Sequence, residues 1–409
     1  MGKTIIEKII QNHANEEVKA GRIVWMKLDI RTARDFGGPN VVKNLEKFYP
    51  NAELPDKENV FFTFDTVAPA KTIPYANNQQ ICRDYARKQR LKVYDVDAGI
   101  GTHILMEKGY ARPGRTLVGT DSHFNILGAV NAFGQGMGDQ DIAFGFRTGK
   151  TWFEVPETIK INLTGRFSYP TTGKDLVLYI LKQIGSKGAL GKCIEYYGKC
   201  LQDLSFAEYI TLCSMMTEMG GIVAYPEPNE AVAEWLRQRT GEEPEFILAD
   251  SDAIYSDELT IDVTDLEPQI AYPPKPDNVK AVSDLKDLKV DSVFIGSCTN
   301  GRIEDMRQVA EILRNNKVAD GVMLRIVPAT KEVYGQMLSE GLIETFFNAG
   351  AIIANPGCGG CASGQIGMTG KGEVQISTSN RNFRGKQGDG ETYLASPITA
   401  ANAAIKGVL

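Results

Sequence analysis

The sequence predicts an α/β protein built on parallel sheets, for three reasons. In the last third of the chain, short apolar runs alternate with amphipathic helical patterns, as they do where helical crossovers join parallel strands. The chain has 409 residues, 43% of them hydrophobic and 23% charged, which is typical of a globular protein of two or three domains. Many of its 41 glycines stand in short clusters, where they allow the backbone to approach a ligand closely.

The predicted elements are clearest after the proline-rich segment 267–282, which we take as a domain boundary. Apolar runs predict the strands, and a helical period between them predicts the helices. In chain order they are a strand at 290–297, a helix at 303–315, a strand at 322–329, a helix at 331–350, and strands at 351–357 and 373–379. Two earlier strands are predicted at 92–99 and 115–119. We expect these strands to be parallel.

The composition excludes several classes of protein. Lys plus Arg number 45 against 51 for Asp plus Glu, so the net charge is −6, opposite in sign to that of a dedicated nucleic-acid binder. No apolar run approaches the ~18 to 20 residues of a membrane helix, and the first residues lack a signal-peptide pattern. We therefore expect a cytoplasmic protein, whose seven cysteines are reduced thiols or metal ligands.

Chemically reactive side chains follow the predicted strands. Ligands of parallel sheets bind beyond the carboxyl ends of the strands, which lie at one edge of the sheet. The residues after strands in the last third of the chain are Cys298, Cys358, Cys361 and Arg381, and those in the first part are His103, Asp121, Ser122 and His123. We expect two α/β units that face each other across one cleft.

Three cysteines can meet at this cleft. Cys358 and Cys361 form a C-x-x-C on a glycine-rich loop, and Cys298 follows a strand of its own. A structural zinc site uses four ligands, and a thioredoxin-like dithiol has no third cysteine. A [4Fe–4S] cluster on three thiolates would leave one iron open as a Lewis acid. From spacing alone, a cluster, a zinc site and an unliganded loop all remain open.

Six motifs resemble those of one known family, in order along the chain. They are GTDSH at 119–123, TLCSMMTEMGG at 211–221, SCTNG at 297–301, NPGCGGC at 355–361, STSNRNF at 377–383 and YLASPITAA at 393–401. The family they resemble is the aconitase superfamily, and specifically its group of 3-isopropylmalate dehydratase, homoaconitase and 2,3-dimethylmalate dehydratase large subunits. The resemblance spans nearly the whole chain.

The resemblance implies an aconitase-like fold, with three α/β domains around an iron–sulfur cluster and without the family's swivelling fourth domain. We expect a first domain at 1–155 with the Asp-Ser-His loop, a second at 156–275 with the helix of Glu218, and a third at 276–409 with the cluster cysteines. In the family the catalytic base is a serine on the swivelling domain. A separate small subunit is therefore the implied partner.

The resemblance also implies the site residues. Cys298, Cys358 and Cys361 match the three ligands of one [4Fe–4S] cluster per chain. The residues that match catalytic positions are Asp65, His103, Asp121, Ser122, His123 and Glu218. The residues expected at the substrate are Arg381, whose planar fork suits a carboxylate, with Asn380, Asn300, Lys386 and Arg384. The residues that match no motif, and that we take as structural, are His13, Cys82, Cys193, Cys200 and Cys213.

Three departures from the family pattern bear on the chemistry. Thr66 stands where relatives usually have a histidine, so proton delivery to the leaving hydroxyl must differ or be weaker. Lys386 stands where a second arginine is usual, with Arg384 nearby as a candidate substitute. Phe124 and Asn125 replace small hydroxylated residues after the Asp-Ser-His loop. We expect this last change to alter which shape of substrate the site accepts.

These inferences predict the large, cluster-binding subunit of a hydro-lyase that reversibly dehydrates a malate-type hydroxy-dicarboxylate. Within this class we expect a 3-isopropylmalate dehydratase-like enzyme of leucine biosynthesis. Alternatives within the class are a homoaconitase-like or 2,3-dimethylmalate dehydratase-like enzyme, or a relative with altered chemistry. An iron- or redox-sensing RNA-binding protein is disfavoured by the net charge of −6, and a zinc or dithiol protein is the third class. We expect no membrane or nucleic-acid partner.

Overall fold

The computed structural model describes residues 2–285, 287–362 and 365–409. The strands of its first part are β1 Ile23–Lys27, β2 Ile30–Arg34, β3 Val60–Thr63, β4 Lys92–Tyr94, β5 Thr116–Gly119, β6 Phe133–Gly136 and β7 Lys150–Glu154. The helices are α1 Ile5–Gln11, α2 Gly38–Phe48, α3 Ile73–Gln89, α4 Gly101–Glu107 and α5 Asp139–Thr148. Within 2–155, a parallel sheet runs in the order β4-β3-β2-β5-β6, and β1 pairs with β7 in an antiparallel ribbon.

A second parallel sheet follows. Its strands are β8 Thr158–Thr164, β9 Cys193–Tyr197, β10 Ala224–Pro226 and β11 Asp257–Asp262, and its helices are α6 Gly173–Ile184, α7 Phe206–Ser214 and α8 Glu230–Thr240. The strand order is β10-β9-β8-β11. Capping boxes start α6 at Thr172 and α7 at Ser205, because each hydroxyl and the acidic residue three positions later satisfy backbone donors at the helix start.

The third sheet carries the C-terminal part of the chain. Its strands are β12 Gln269–Ala271, β13 Val279–Ala281, β14 Ser292–Gly296, β15 Met323–Val327, β16 Ile352–Ile353, β17 Val374–Ser377 and β18 Glu391–Leu394. Its helices are α9 Ile303–Leu313, α10 Lys331–Ser339, α11 Leu342–Ala349 and α12 Pro397–Lys406. The order is β13-β12-β18-β17-β14-β15-β16, parallel from β18 to β16, with β12 antiparallel to both of its neighbours. Among the described residues, no helix is long and apolar enough to cross a membrane.

One expectation about this third part is wrong in detail. The single helix predicted at 331–350 is two helices, because Gly341 adopts φ +73° between them, a left-handed conformation that breaks a helix. The third sheet begins at Gln269, inside the proline-rich segment 267–282. The proline-rich segment there forms the hairpin β12–β13, which lies at the sheet edge where proline is tolerated.

The carboxyl edges of the first and third sheets face each other. The amide of Ile100 donates to the carbonyl of Ala329 at 2.8 Å, and the amide of Cys358 donates to the carbonyl of Asp65 at 3.0 Å. Beneath this junction lie fully buried strands such as β14, every residue of which is buried, as in parallel sheets covered on both faces. The loops that meet at the junction are those that the sequence marked as chemically reactive.

Candidate active site

Cys298, Cys358 and Cys361 lie on the loops at these facing edges. Cys298 follows β14, where Ser297 adopts φ +74° and turns the chain out of the strand. Cys358 immediately precedes the 3₁₀ turn Gly359–Cys361, after β16. All three thiols are free, and Cys298 and Cys358 are buried. Burial, and next the charge of Cys361, raise the pKa of Cys298, so these thiols share one electrostatic environment.

Three thiols on neighbouring loops are donors of the kind that an iron–sulfur cluster uses. Within the described ranges, no group of three or more His, Cys, Asp or Glu side chains is arranged to hold one ion. A cube of four irons and four sulfides binds each thiolate at a different iron, so its ligands need not approach one common point. Two buried atoms of predicted site residues, His103 Nδ1 and Glu218 Oε2, lack a hydrogen-bond partner among the described residues. Such atoms are expected where a bound group completes a site.

Neutral groups hold the thiol of Cys298. Its Sγ lies 3.7 Å from Ser214 Oγ and 3.6 Å from Asn380 Oδ1. Asn380 Nδ2 donates to Ser214 Oγ at 2.8 Å, and Asn380 Oδ1 accepts from the hydroxyl of Thr299 at 2.6 Å. The side chain of Asn380, expected at the substrate, therefore packs against the sulfur and orients it.

Arg34 lies between the two edges, although no sequence motif singled it out. It is the last residue of β2, and its side chain is 12% exposed. Its Nε donates to Asp65 Oδ1 at 2.7 Å, its Nη1 lies 2.9 Å from Asp121 Oδ1, and its Nη2 donates to Cys358 Sγ at 2.7 Å. The one signal available in the sequence was its position at a strand end beside Asp35.

Asp65 and Asp121 respond differently to this shared arginine. Burial raises the pKa of Asp65 to about 6, with Arg34 opposing the rise and Asp35 adding to it. Burial would also raise the pKa of Asp121, but Arg34 and His123 lower it below its ordinary value. Asp121 is therefore the ionised member of the pair, and Asp65 is the member that takes up a proton more readily.

A second chain of hydrogen bonds joins the Asp-Ser-His loop to Glu218 and Arg381. Glu218 Oε1 accepts from Arg381 Nε at 2.8 Å and lies 3.2 Å from His123 Nε2. Ser122 Oγ lies 3.3 Å from Arg381 Nη2 and 3.4 Å from His123 Nδ1. Burial would raise the pKa of Glu218, but His123 and Arg381 lower it. An ionised carboxylate thus holds both the imidazole and the guanidinium in place.

His103, on α4, is fully buried. Its Nε2 lies 3.0 Å from the carbonyl oxygen of Cys298, so Nε2 carries the proton and Nδ1 is an acceptor. Burial, and next the positive charge of Arg302, lower the pKa of His103 to about 3. The imidazole is therefore neutral near physiological pH.

Three further residues expected at the substrate are Asn300, Arg384 and Lys386. Asn300 Nδ2 donates to Asp305 Oδ1 at 3.0 Å, so its side chain braces the start of α9. Arg384 is 79% exposed and pairs with Asp389 at 3.1 Å. Lys386 lies partly exposed on the same turn, and its ammonium group makes no hydrogen bond or ion pair within the part of the chain that the structure describes. Of these three side chains, only that of Lys386 has no hydrogen-bond or ion-pair partner among the described residues.

The residues that depart from the family pattern make local contacts. The hydroxyl of Thr66 donates to Asp65 Oδ1 at 3.4 Å. Phe124 is buried so closely against Gly119 that a Cβ there would lie 2.3 Å from its ring. Asn125 Nδ2 donates to the hydroxyl of Thr217 at 2.9 Å. Phe124 and Asn125 thus hold the Asp-Ser-His loop against Gly119 and Thr217.

The residues taken as structural lie in other environments. His13 Nδ1 contacts the carbonyl of Ile9 at 2.8 Å, and Nε2 contacts Asp29 at 2.9 Å. The four remaining cysteines are free and buried: Cys82, Cys193, Cys200 and Cys213. Burial raises the pKa of the thiols of Cys193 and Cys213, as it does that of Cys298, so these cysteines differ from the candidate ligands in position and not in acidity.

Comparison of the sequence with known proteins returns one family. The pattern described as "Aconitase family (aconitate hydratase)" matches residues 7–407. The "3-isopropylmalate dehydratase large subunit 1" of Methanopyrus kandleri is 42% identical over 410 residues, covering 100% of this chain and 98% of that protein. The "Probable methanogen homoaconitase large subunit" of Methanothermobacter thermautotrophicus is 39% identical over 410 residues, covering 98% of this chain and 96% of that protein.

Comparison with solved structures returns the same fold. The holo-form of aconitase X from Thermococcus kodakaraensis matches with a TM-score of 0.54 and 15% identity. The match covers 92% of this chain and 89% of that chain. At this identity the likeness shows the fold alone, and it confirms the aconitase-like α/β architecture predicted from the sequence.

Proposed function

Because the chain belongs to the aconitase family, we propose that it is the cluster-binding large subunit of a hydro-lyase for a malate-type hydroxy-dicarboxylate. The observation that carries the proposal is that Cys298, Cys358 and Cys361 follow strands of one sheet, where the ion pair of Arg381 and Glu218 interacts with the charge of Cys298. Identities of 42% and 41% to two 3-isopropylmalate dehydratase large subunits support 3-isopropylmalate as the first substrate to test.

Arg381 is the residue that we propose to bind a substrate carboxylate. Its side chain is 22% exposed, so it reaches the cleft, while Glu218 and Ser122 fix the orientation of the fork. A cation oriented in advance loses little freedom when the substrate binds. Lys386 is the candidate for a second carboxylate, because Arg384 is already paired with Asp389.

The remaining site residues would manage the proton of the leaving hydroxyl. When bound, a [4Fe–4S] cluster with one open iron supplies a Lewis acid for substrate oxygens. The imidazole of His123 lies between Glu218 and Ser122, and we assign it the donor role that a histidine at position 66 would otherwise share. Asp65, with a pKa of about 6, exchanges protons near neutral pH, and the neutral His103 offers Nδ1 as an acceptor.

A small subunit is the proposed partner. The relatives at about this identity are named as large subunits, which supports a second chain that completes the enzyme. We assign to that chain the base that removes the carbon-bound proton. The large chain alone should then bind its cofactor but turn over no substrate.

The test is anaerobic purification of the chain, reconstitution with iron and sulfide, and assay with and without the small subunit. We expect about four irons and four sulfides per chain, and hydration activity only in the pair. Cys298→Ser, Cys358→Ser and Cys361→Ser should lose the cluster. Cys193→Ser is the matched control, because its thiol is buried in another environment, and it should keep the full iron content.

Three results would contradict the proposal. Stoichiometric zinc in anaerobically prepared, fully active protein would rule out the cluster. Robust turnover by the large chain alone would rule out the need for a partner. A substrate panel containing 3-isopropylmalate, homocitrate-type tricarboxylates and 2,3-dimethylmalate tests the substrate. Preference for either of the last two would move the function to a homoaconitase-like or dimethylmalate dehydratase-like enzyme.

A further inference from the structure

We propose that Arg34 is a positioning residue for the iron–sulfur cluster: its guanidinium donates to the Cys358 thiolate and thereby sets the cluster's reduction potential and its retention. This inference rests on the proposed function, since it requires a bound cluster. It assigns a role to a residue that lies outside all six sequence motifs. The role is exerted through Cys358, not through the substrate.

The direction of the donor to Cys358 is set by two carboxylates. Arg34 Nε is held by Asp65 at 2.7 Å and Nη1 by Asp121 at 2.9 Å. Because the guanidinium is planar and rigid, these two contacts fix where Nη2 points. It points to Cys358 Sγ at 2.7 Å. The contact with the sulfur is therefore oriented before any cluster binds.

Arg34, Asp65 and Cys358 close a ring of hydrogen bonds across the cleft. The amide of Cys358 donates to the carbonyl of Asp65 at 3.0 Å. The carboxylate of Asp65 accepts from Arg34, and Arg34 donates to the thiol of Cys358. Backbone and side chain of Cys358 are thus both held by the strand ends of the first sheet. The ring joins the cysteine loop to a rigid edge and so opposes release of the cluster.

The charge of Arg34 distinguishes Cys358 from Cys298. The hydrogen-bonding neighbours of the Cys298 thiol are the neutral side chains of Ser214 and Asn380, whereas Cys358 faces a buried cation. Hydrogen bonds to the sulfurs and local charge are two of the factors that tune cluster potentials. A cation beside the thiolate stabilises the reduced, more negative cluster. Losing it should shift the potential to more negative values.

Asp121 provides a test with the opposite sign. Its carboxylate offsets the charge of Arg34, and the backbone amide of His123 also donates to it at 3.0 Å. Asp121→Asn keeps the shape of the contact but removes the negative charge. If Arg34 acts electrostatically, Asp121→Asn should raise the reduction potential. If the hydrogen-bond ring only holds the loop in place, Asp121→Asn and Arg34→Gln should instead shift the potential in the same direction.

The experiment measures the reduction midpoint of the reconstituted chain by spectroelectrochemistry, together with the half-life of the cluster absorbance in air. We expect Arg34→Gln to shift the midpoint negative by a tenfold change in equilibrium or more, about 59 mV for one electron, and to shorten the half-life several-fold. Arg34→Lys, which keeps the charge but not the fork, should recover most of the midpoint. Asp121→Asn should shift the midpoint positive.

Arg307→Gln is the control, because Arg307 forms a bidentate pair with Glu340 at the surface, and its midpoint should match that of the unaltered chain. Unchanged midpoints in both Arg34 variants would overturn the inference, as would shifts of the same sign in Arg34→Gln and Asp121→Asn. If Arg34→Gln retains no cluster, Asp121→Asn decides: a positive shift of its midpoint supports the inference, and a negative or absent shift overturns it. If the unaltered chain itself binds no cluster, the proposed function fails, and this inference fails with it.

Discussion

Replacing Arg381 by lysine tests the carboxylate contact on which the proposed substrate class depends. The guanidinium donates to Glu218 at 2.8 Å and to Ser122 at 3.3 Å, so its fork is already oriented by the protein. A lysine keeps the charge, but its ammonium cannot hold both neighbours and a bidentate carboxylate in one plane. Losing a charge-assisted contact in a desolvated site costs about 2 to 5 kcal/mol. That energy corresponds to about 30- to 4,000-fold in kcat/KM.

The assay is the initial rate of hydration by the reconstituted two-chain enzyme over a range of substrate concentrations. Arg381→Lys should lose kcat/KM within that range while the cluster absorbance stays unchanged. Arg307→Lys is the matched control. Its pair with Glu340 lies at the surface, where such pairs contribute little, so its kinetics should not change. A loss below about threefold for Arg381→Lys, less than 1 kcal/mol, would refute the carboxylate role.

Two further predictions concern stability. Arg302 and Glu107 form a buried ion pair at 2.7 Å. Arg302→Met should therefore lower the free energy of unfolding, measured in urea, by about 3 to 5 kcal/mol, because it leaves the Glu107 carboxylate buried without its partner. Adding Glu107→Leu should restore most of the lost stability, and a further, additive loss in the double variant would contradict this explanation. Burial alone would lower the pKa of His13, but the hydrogen bond with Asp29 raises it, while the pKa of Asp29 is lowered. The charged His13 therefore stabilises the fold fully below its unfolded pKa of about 6.5, and this contribution is lost as the pH rises through the folded pKa. His13→Gln should accordingly destabilise more at pH 6 than at pH 8.5, and an equal effect at both would show that the charge is not involved.

The order and type of β4, β5 and the elements from β14 to β17 could be predicted from the sequence. Apolar runs such as that of β14 bury both faces, and parallel strands joined by helices leave a strong pattern. The helix break at Gly341 was missed, because apolar periodicity continues through α10 and α11 and a single glycine does not always end a helix. The edge hairpin β12–β13 was missed because its strands span three residues each, too few to leave a period.

For the candidate site, the sequence predicted which loops carry it but not the contacts of each side chain. The rule that ligands bind at carboxyl strand ends drew attention to Cys298, Cys358 and Arg381, and their loops lie at the carboxyl edge of the third sheet, which faces that of the first. Their catalytic and ligand roles stay predictions until the variants are measured. Asn300 and Arg384 carry the same motif signal as their neighbours, yet their side chains serve a helix start and a surface pair. A motif marks a segment of backbone, but it does not state where each side chain points.

By itself, the sequence determined local features of this protein: β4, β5 and the elements from β14 to β17, the glycine-rich loops and the order of the motifs. These depend on residues a few positions apart, and their periodicity is written in the chain. Only the tertiary structure decided the partners of the buried charges. Arg34 and Cys358 are 324 positions apart, and they meet at 2.7 Å because β2 and the loop after β16 end at facing edges. A buried arginine must find its anions wherever the fold places them, so its partners cannot be recognised from its neighbours in the sequence.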